Sequence, residues 1–306
     1  MKPRWRKLGH VYAPRGDRWW ARSHALLPTP EVRENGTVIR VYFAALDQDQ
    51  YGRIGYVDLA AEDPRRVMAE SPEPVLGLGA PGAFDDAGVN PSCCLRHGSR
   101  LRLYYIGWQR GVRVPYLLFS GLAEAEDGEE FRRVQPTPVL DRTPAEPFLR
   151  SAPSVLAEEG GFRAWYVSAL GWTEVGGKPY PTYVIRHARS ADGVVWRTEG
   201  PVCIDFQDAD EFGFGRPWVM RDGDVYRMWY SIRSRSAPYR LGYAESFDGL
   251  NWERRDAEAG LARSDEGWDA EMICYASVVD AGGRRYLFYN GSGLGRSGFG
   301  CAVWVG

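Results

Sequence analysis

Residues 225–230, with the sequence VYRMWY, place two sets of side chains on opposite faces of an extended chain. A two-residue period of this kind predicts a β-strand. Asp222 and Gly223 precede the strand, and glycine tolerates the positive φ that a tight hairpin turn requires. The stretch therefore predicts a turn followed by a strand.

The same pattern of turn and strand occurs five times along the chain. Each copy has a glycine-containing turn and then a strand that ends in two aromatic residues and a small one. The second aromatic residues are separated by intervals of 62, 61, 64 and 59 residues. A period this constant predicts a repeat architecture. The five second aromatic residues are Phe43, Tyr105, Tyr166, Tyr230 and Tyr289.

Each copy is preceded by a short apolar segment and followed by a third predicted strand. In two copies this strand runs into a turn and a fourth strand of closely similar sequence, SADGVVWRTEG at 190–200 and SFDGLNWERRD at 246–256. The repeating unit is therefore predicted to be four antiparallel strands, which is a β-propeller blade.

The last copy ends at residue 306, directly after its third strand, and residues 5–12 resemble the end of a blade that has no beginning. We expect the N-terminal strand to complete the last blade, because closure hides two open sheet edges. The sequence thus predicts an all-β chain, a five-bladed β-propeller with four antiparallel strands per blade, forming a single domain over residues 1–306.

Composition narrows the possible partners. The net charge of −2 argues against nucleic acid, because phosphate binding needs a basic face. No apolar run approaches ~20 residues, so no membrane span is expected. The 12 Trp, 17 Tyr and 12 Phe exceed what packing usually needs, and rings outside the core could line a sugar pocket.

The five cysteines and four histidines lack the spacing of metal ligands. We expect the cysteines to be unpaired in a reducing cytoplasm. We also expect no metal and no cofactor. No signal-type apolar stretch is present at the N-terminus, which favours the same location. The oligomeric state is left open.

Two further features carry a family resemblance. The motif S-x-D-G-x-x-W stands at 190–196 and 246–252, and three inner strands open on a residue followed by proline. This combination resembles the five-bladed propeller glycosidases, a superfamily that spans arabinanases, β-xylosidases, invertases and levansucrases, with related phosphorylases. The resemblance implies an active site at the propeller axis, where three carboxylates serve as base or nucleophile, pKa modulator and general acid. Glycosidic cleavage needs two carboxyl groups with separated pKa values.

The chain departs from that pattern at the inner strands. In the arabinanase-type branch, carboxylates stand immediately before the proline, or one residue earlier, in three inner strands. The matching prolines here are Pro91, Pro153 and Pro217, and they follow valine-asparagine, serine-alanine and glycine-arginine. None of these six residues is an acid. Either the acids come from adjacent loop positions or the chemistry differs.

Three acid-bearing loops, at 82–91, 208–217 and 266–275, enter the predicted inner strands from the same side of the ring. The candidate catalytic carboxylates are Asp86, Glu211 and Glu271. We expect Glu211 to be the better general acid, because Phe212 and Phe214 would exclude water and raise its pKa. The candidate substrate-binding residues are Arg22, His24, Asp85, Asn90, Arg150, Ser151, Arg216 and Tyr275.

Structural interpretations compete with these roles. Asp85 and Asp86 could cap a turn, Arg216 could be an ion-pair partner inside the ring, and a lone histidine such as His24 is more often a core residue. Asp192 and Asp248 of the S-x-D-G-x-x-W motifs are expected to lock turns.

Three functions follow from these alternatives. The first is a glycoside hydrolase-like enzyme, whether hydrolase, phosphorylase or transglycosylase, that acts on a glycoside at the axis through loop carboxylates. The second is a protein that binds or processes a charged saccharide or sugar nucleotide, without hydrolysis, through an arginine-rich axial pocket. The third is an interaction propeller with a plugged axis, which the short loops disfavour.

Overall fold

The computed structural model describes residues 3–197 and 200–306, and residues 198 and 199 of the predicted turn-and-strand segment at 190–200 lie outside them. The described chain is all β apart from short helical turns, the longest at Ser292–Gly295, which confirms the predicted class. No helix within it is long and apolar enough to cross a membrane.

The strands fall into antiparallel groups that follow the sequence repeats. Strand β1 (Trp5–Tyr12) is followed by the first group, which is β2 (Ser23–Arg33), β3 (Val38–Leu46), β4 (Gly52–Ala60) and β5 (Asp63–Glu70). The second group is β6 (Gly88–His97), β7 (Arg100–Arg110), β8 (Tyr116–Ala125) and β9 (Arg132–Arg133). The third is β10 (Arg150–Glu158), β11 (Gly161–Val175), β12 (Lys178–Ser190) and β13 (Val202–Ile204).

The fourth group is β14 (Glu211–Asp222), β15 (Val225–Ser234), β16 (Arg240–Ser246) and β17 (Glu253–Arg254). The fifth contains β18 (Cys274–Ala281), β19 (Arg284–Asn290) and β20 (Phe299–Trp304), and β1 lies antiparallel beside β20, with Trp5 opposite Trp304. This is the pairing that the sequence predicts for the N-terminal strand.

The first strand of each group lies innermost. Strand β2 contacts β6, β6 contacts β10, β10 contacts β14, β14 contacts β18, and β18 contacts β2. Single parallel pairs join the first group to the second, at Gly52 and Gly88, and the second to the third, at Phe119 and Arg150.

Hydrophobic clusters fill the spaces between neighbouring groups. One of them packs Ile39 and Phe43 of the first group against Tyr286, Phe288 and Phe299 of the fifth. Burial of these large side chains between faces of adjacent sheets is the main stabilising contribution, at about 25 cal/mol per Å² of apolar surface. The core therefore lies between the sheets, which leaves the centre free for polar side chains.

Candidate functional site

The innermost strands are irregular where they reach the centre. Leu27, Ala152 and Tyr275 have φ angles of 54°, 52° and 56°, which is the left-handed region. Non-glycine residues rarely adopt this conformation, and such strain tends to occur at functional sites. A bulge of this kind re-aims a side chain. The pairing shifts fall at Leu26/Thr29, Pro91/Cys93, Ser151/Ser154, Gly215/Trp218 and Cys274/Ser277.

Two adjoining cavities lie against these bulges. The larger, here called the outer cavity, has a volume of about 410 Å³, and the smaller inner cavity has about 90 Å³. The outer volume is within the range of small-molecule sites, about 300–1,000 Å³. Five residues line both cavities, and they are Leu27, Asn90, Trp108, Tyr116 and Tyr275.

Aromatic side chains form one wall of the outer cavity. The rings of Trp108 and Tyr116 have centroids 4.9 Å apart, and Tyr116 also contacts Trp172. With its amide oriented to satisfy its neighbours, Asn90 accepts a hydrogen bond from Trp108 Nε1 at 3.1 Å. The tryptophan is therefore fixed in place beside the cavity.

The charges around the cavities are of one sign. Arg110 lines the outer cavity, and Arg216 and Arg233 line the inner one. Within residues 3–197 and 200–306, no aspartate or glutamate lines either cavity. Guanidinium groups bind carboxylates and phosphates through paired hydrogen bonds, so this arrangement favours an anionic ligand.

Arg216 lies at the centre and is bound to the backbone. Its guanidinium donates to the carbonyls of Pro28, Tyr275 and Ala276, at 3.1, 2.7 and 3.1 Å, and to Thr29 Oγ1 at 3.0 Å. These carbonyls stand where the bulges break the sheet ladders and need another donor. Burial lowers the pKa of Arg216 to about 10, so it stays protonated at neutral pH. It also donates to the carbonyl of Ser92 at 3.3 Å, so its contacts join three inner strands, β2, β6 and β18, to its own strand β14.

Arg233 is a functional candidate that the sequence did not reveal. It is 5% exposed, and its guanidinium lies 4.9 Å from the ring centre of Tyr180, 4.7 Å from Phe212 and 5.8 Å from Tyr239. No carboxylate in the described chain forms an ion pair with it. A buried cation without a carboxylate partner is costly, which makes Arg233 a candidate for contact with a ligand.

Glu211, unlike Arg233, has a partner of opposite charge. Two nitrogens of Arg254 donate hydrogen bonds to its carboxylate at 2.7 and 2.8 Å, and the backbone N–H of Gln207 also donates to it. Burial on its own would raise the pKa of Glu211, but these hydrogen bonds outweigh it and the pKa is lowered. The expected rise in pKa beside Phe212 and Phe214 is therefore wrong.

The other two candidate catalytic acids also lie away from the cavities. Asp86 accepts the backbone N–H of Gly82 at 2.9 Å, which is the turn-capping contact considered from the sequence. Glu271 is exposed, and its own N–H donates to Ser292. Neither these two acids nor Glu211 lines either cavity.

Asp85 and Arg150 belong to a structural device that the repeats share. In four groups, the second aromatic residue is a tyrosine whose hydroxyl donates to a carboxylate, and that carboxylate forms an ion pair with a cation. We call these sets the tyrosine triads. They are Tyr105–Asp85–Arg133, Tyr166–Glu146–Arg150, Tyr230–Asp256–Arg254 and Tyr289–Asp269–Lys7.

Of the remaining nominated residues, Arg22 is exposed and donates to the carbonyl of Gly16, outside the cavities. The residues that the structure brings together at the cavities are His24, Asn90, Ser151, Arg216 and Tyr275. The sequence signal that located them is the start of each inner strand, which the repeat defines.

The tyrosines and the histidine that line the cavities are uncharged at pH 7, which limits the chemistry that they can perform. Burial raises the pKa of Tyr239 to about 12 and also raises the pKa of Tyr116 and Tyr275. These tyrosines are therefore neutral and unsuited to act as nucleophiles at pH 7. Burial, together with Arg296, lowers the pKa of His24, so its imidazole is neutral there as well. No cluster of three or more His, Cys, Asp or Glu side chains in the described chain is arranged to hold a metal.

Comparison with solved structures defines the class. The chain matches a glycosyl hydrolase from Bacteroides ovatus with a TM-score of 0.75, 13% identity and coverage of 99% of this chain and 94% of the other. It matches a thermostable family-43 glycoside hydrolase with a TM-score of 0.68, 15% identity and coverage of 94% and 90%. The chain thus has the fold of the propeller glycoside hydrolases, which confirms the resemblance.

No family model matches the chain. It is 42% identical over 299 residues to the uncharacterized protein Rv1502 of Mycobacterium tuberculosis, with 98% of both chains covered. The chain belongs to the same family as that protein.

Proposed function

We propose that the chain binds a charged saccharide or sugar derivative in its axial cavities and does not hydrolyse it through a carboxylate pair. The charge of the cavities carries this proposal, since three arginines and no described acid line them. Hydrolysis of a glycoside ordinarily requires two carboxyl groups flanking the scissile bond. The second interpretation of the sequence is therefore better supported than the first.

The proposal assigns the ligand's sugar ring to the outer cavity. Trp108 and Tyr116 offer large apolar faces there, and Gln50, Asn90 and His24 offer polar atoms. Aromatic faces with a few convergent polar groups are typical of small-molecule sites. A sugar has both apolar faces and hydroxyl edges, so it suits both kinds of contact.

The proposal also takes the whole chain as one five-bladed ring closed by its N-terminal strand. The pairing of β1 with β20 supports this, as does the packing of Phe43 against Phe299. Removal of residues 1–12 should therefore lower the melting temperature. An unchanged melting temperature would contradict closure.

A hydrolase acting through Asp86, Glu211 and Glu271 is the second candidate, because the chain shares its fold with glycoside hydrolases. In that case the Glu211→Gln or Glu271→Gln variant would lose turnover of a glycoside and keep saccharide binding. Loss of a general acid costs about 10²–10⁴-fold in rate.

One experiment separates the two candidates. Calorimetric titration with neutral and acidic monosaccharides and UDP-glucose would be run beside release of nitrophenol from a set of nitrophenyl glycosides. We expect binding without turnover, loss of binding in Trp108→Ala, and unchanged binding in Glu211→Gln. Turnover that disappears in the glutamine variants would establish the hydrolase instead. An absence of both binding and turnover would refute both functions.

A further inference from the structure

The inner cavity contains hydrogen-bond donors that nothing in the protein satisfies. Ser151, Arg216 and Arg233 line it, and they are 0%, 1% and 5% exposed. Ser151 Oγ, Arg216 Nε and Arg233 Nε each lack a hydrogen-bond partner. Buried polar atoms are almost always paired, so three unpaired atoms around one cavity call for a partner from outside the protein.

All three unsatisfied atoms can donate, and two of them carry positive charge. The partner they fit is an acceptor with a negative charge. A carboxylate has two oxygens and no donor of its own, and it forms short, strong hydrogen bonds with guanidinium groups. The inner cavity, at about 90 Å³, has room for a small group, since one water needs only about 10–15 Å³.

The guanidinium groups that line the inner cavity favour a ligand with a single negative charge. The terminal nitrogens of Arg216 are engaged by Thr29 and by backbone carbonyls, among them Pro28 and Tyr275. Arg233 keeps its guanidinium faces against aromatic rings and interacts with the hydroxyl of Tyr116, while its Nε–H has no partner and can donate to a ligand. A phosphate dianion would need more donors and a second free cation to offset its desolvation.

We propose that the inner cavity is a carboxylate subsite in which Arg233 and Ser151 select an acidic sugar, with the sugar ring in the outer cavity. The two cavities adjoin through Asn90, Trp108, Tyr116 and Tyr275, so one ligand can extend through both. This assignment rests on the proposed function and names its substrate class as sugars that carry a carboxylate.

The test compares matched sugars by isothermal titration calorimetry. The probes are D-glucuronate with D-glucose, D-galacturonate with D-galactose, and D-glucose 6-phosphate. We expect at least one acid to bind about 10- to 100-fold more tightly than its neutral counterpart, because hydrogen bonds to charged groups are the stronger kind. Arg233→Gln and Ser151→Ala should remove most of that preference. Arg235→Gln, which changes an exposed arginine just past β15, should keep it.

A second measurement does not depend on the sugar. The Nε–H resonances of the arginines are followed by NMR while acetate is added to the intact protein. We expect one buried arginine resonance to shift at saturation, and this resonance should be missing in Arg233→Gln. Thermal melting checks that each variant is folded.

The outcomes separate the two proposals. Equal binding of acids and neutral sugars would overturn the carboxylate subsite and leave saccharide binding standing, and tighter binding of the phosphate would also overturn the subsite. If no sugar binds but acetate shifts the Arg233 resonance, the subsite stands and the saccharide function fails. No acetate response and no preference for acids would refute the subsite outright.

Discussion

Buried arginines have different partners in the tyrosine triads and in the inner cavity. In a triad such as Tyr166–Glu146–Arg150, the guanidinium contacts a carboxylate at 2.6 Å and also donates to a backbone carbonyl. In the inner cavity, Arg233 is also buried but has aromatic rings in place of a carboxylate. One arginine is paired with a carboxylate within the fold, and the other is surrounded by aromatic rings.

The difference shows where the acids of this chain are used. Two acids that the sequence suggested for the site form ion pairs within the fold instead: Asp85, a candidate for substrate binding, pairs with Arg133, and Glu211, a candidate for catalysis, pairs with Arg254. The cavities at the centre are lined by arginines. A propeller fold thus supplies a central site, while the local pairing of charges decides what that site can do.

Truncating each arginine tests the contrast most strongly. Arg150→Met should cost about 3–5 kcal/mol in free energy of unfolding, because it leaves the Glu146 carboxylate buried and unpaired. Arg233→Met should cost far less or stabilise the protein, because it removes an unpaired buried charge. Urea unfolding measures both. A large loss of stability in Arg233→Met would mean that Arg233 is a structural residue.

The triads themselves predict a graded set of effects. Tyr105→Phe and Tyr166→Phe each remove a hydrogen bond to a charged carboxylate and should cost about 1.5–3 kcal/mol in unfolding free energy. Tyr286→Phe is the matched control, since its hydroxyl donates to the neutral carbonyl of Ala61 and should cost about 0.5–1.5 kcal/mol. Equal losses in all three variants would show that the charge of the carboxylate does not matter.

The dependence of stability on acid pH gives a third test, which concerns His187 inside a sheet. Burial, with Arg163 and Arg189 nearby, lowers the pKa of His187 to about 3. The unfolded chain then takes up a proton near pH 6.5 that the folded chain refuses, so stability falls as the pH falls below that value. Between pH 6.5 and 5 the loss is at most about 2 kcal/mol.

The His187→Gln variant should flatten the dependence of unfolding free energy on pH in that interval, because it has no proton to bind. Urea unfolding at pH 7, 6 and 5 provides the measurement. Equal slopes in the variant and the wild type would show that other groups cause the loss.

The sequence predicted the repeats because each depends on local pattern. The aromatic pairs around Tyr105 and Tyr289 mark the second strands, and the proline after Arg216 marks an inner strand, which placed Arg216 at the centre. The start of each inner strand also located Ser151 and Asn90.

Features that depend on distant partners could not be read in the same way. Glu211 meets Arg254, which lies 43 residues further along the chain, so its lowered pKa has no local signal. Arg233 and Arg235 look alike in the sequence, yet one is buried among rings and the other is exposed. Phe212 lies near both guanidinium groups, and Tyr180 lies against that of Arg233, 4.9 Å from its ring centre.

The smallest expected effect concerns His24, which lines the outer cavity with Ser23 Oγ at 2.8 Å and Arg296 nearby. Because its pKa is lowered, the imidazole is neutral at pH 7 and adds no charge to the site. Protonation of the imidazole therefore requires a pH below the ordinary histidine value of 6.5, while a sugar carboxylate stays ionised because its pKa is near that of an α-carboxyl group, about 3.5. An acidic sugar should then bind about two-fold more tightly at pH 5.5 than at pH 7.5, and its binding should be accompanied by proton uptake. Calorimetric titration in two buffers of different ionisation enthalpy measures that uptake, and His24→Gln should abolish it. Proton release on binding would instead place the negative charge of the ligand away from this histidine.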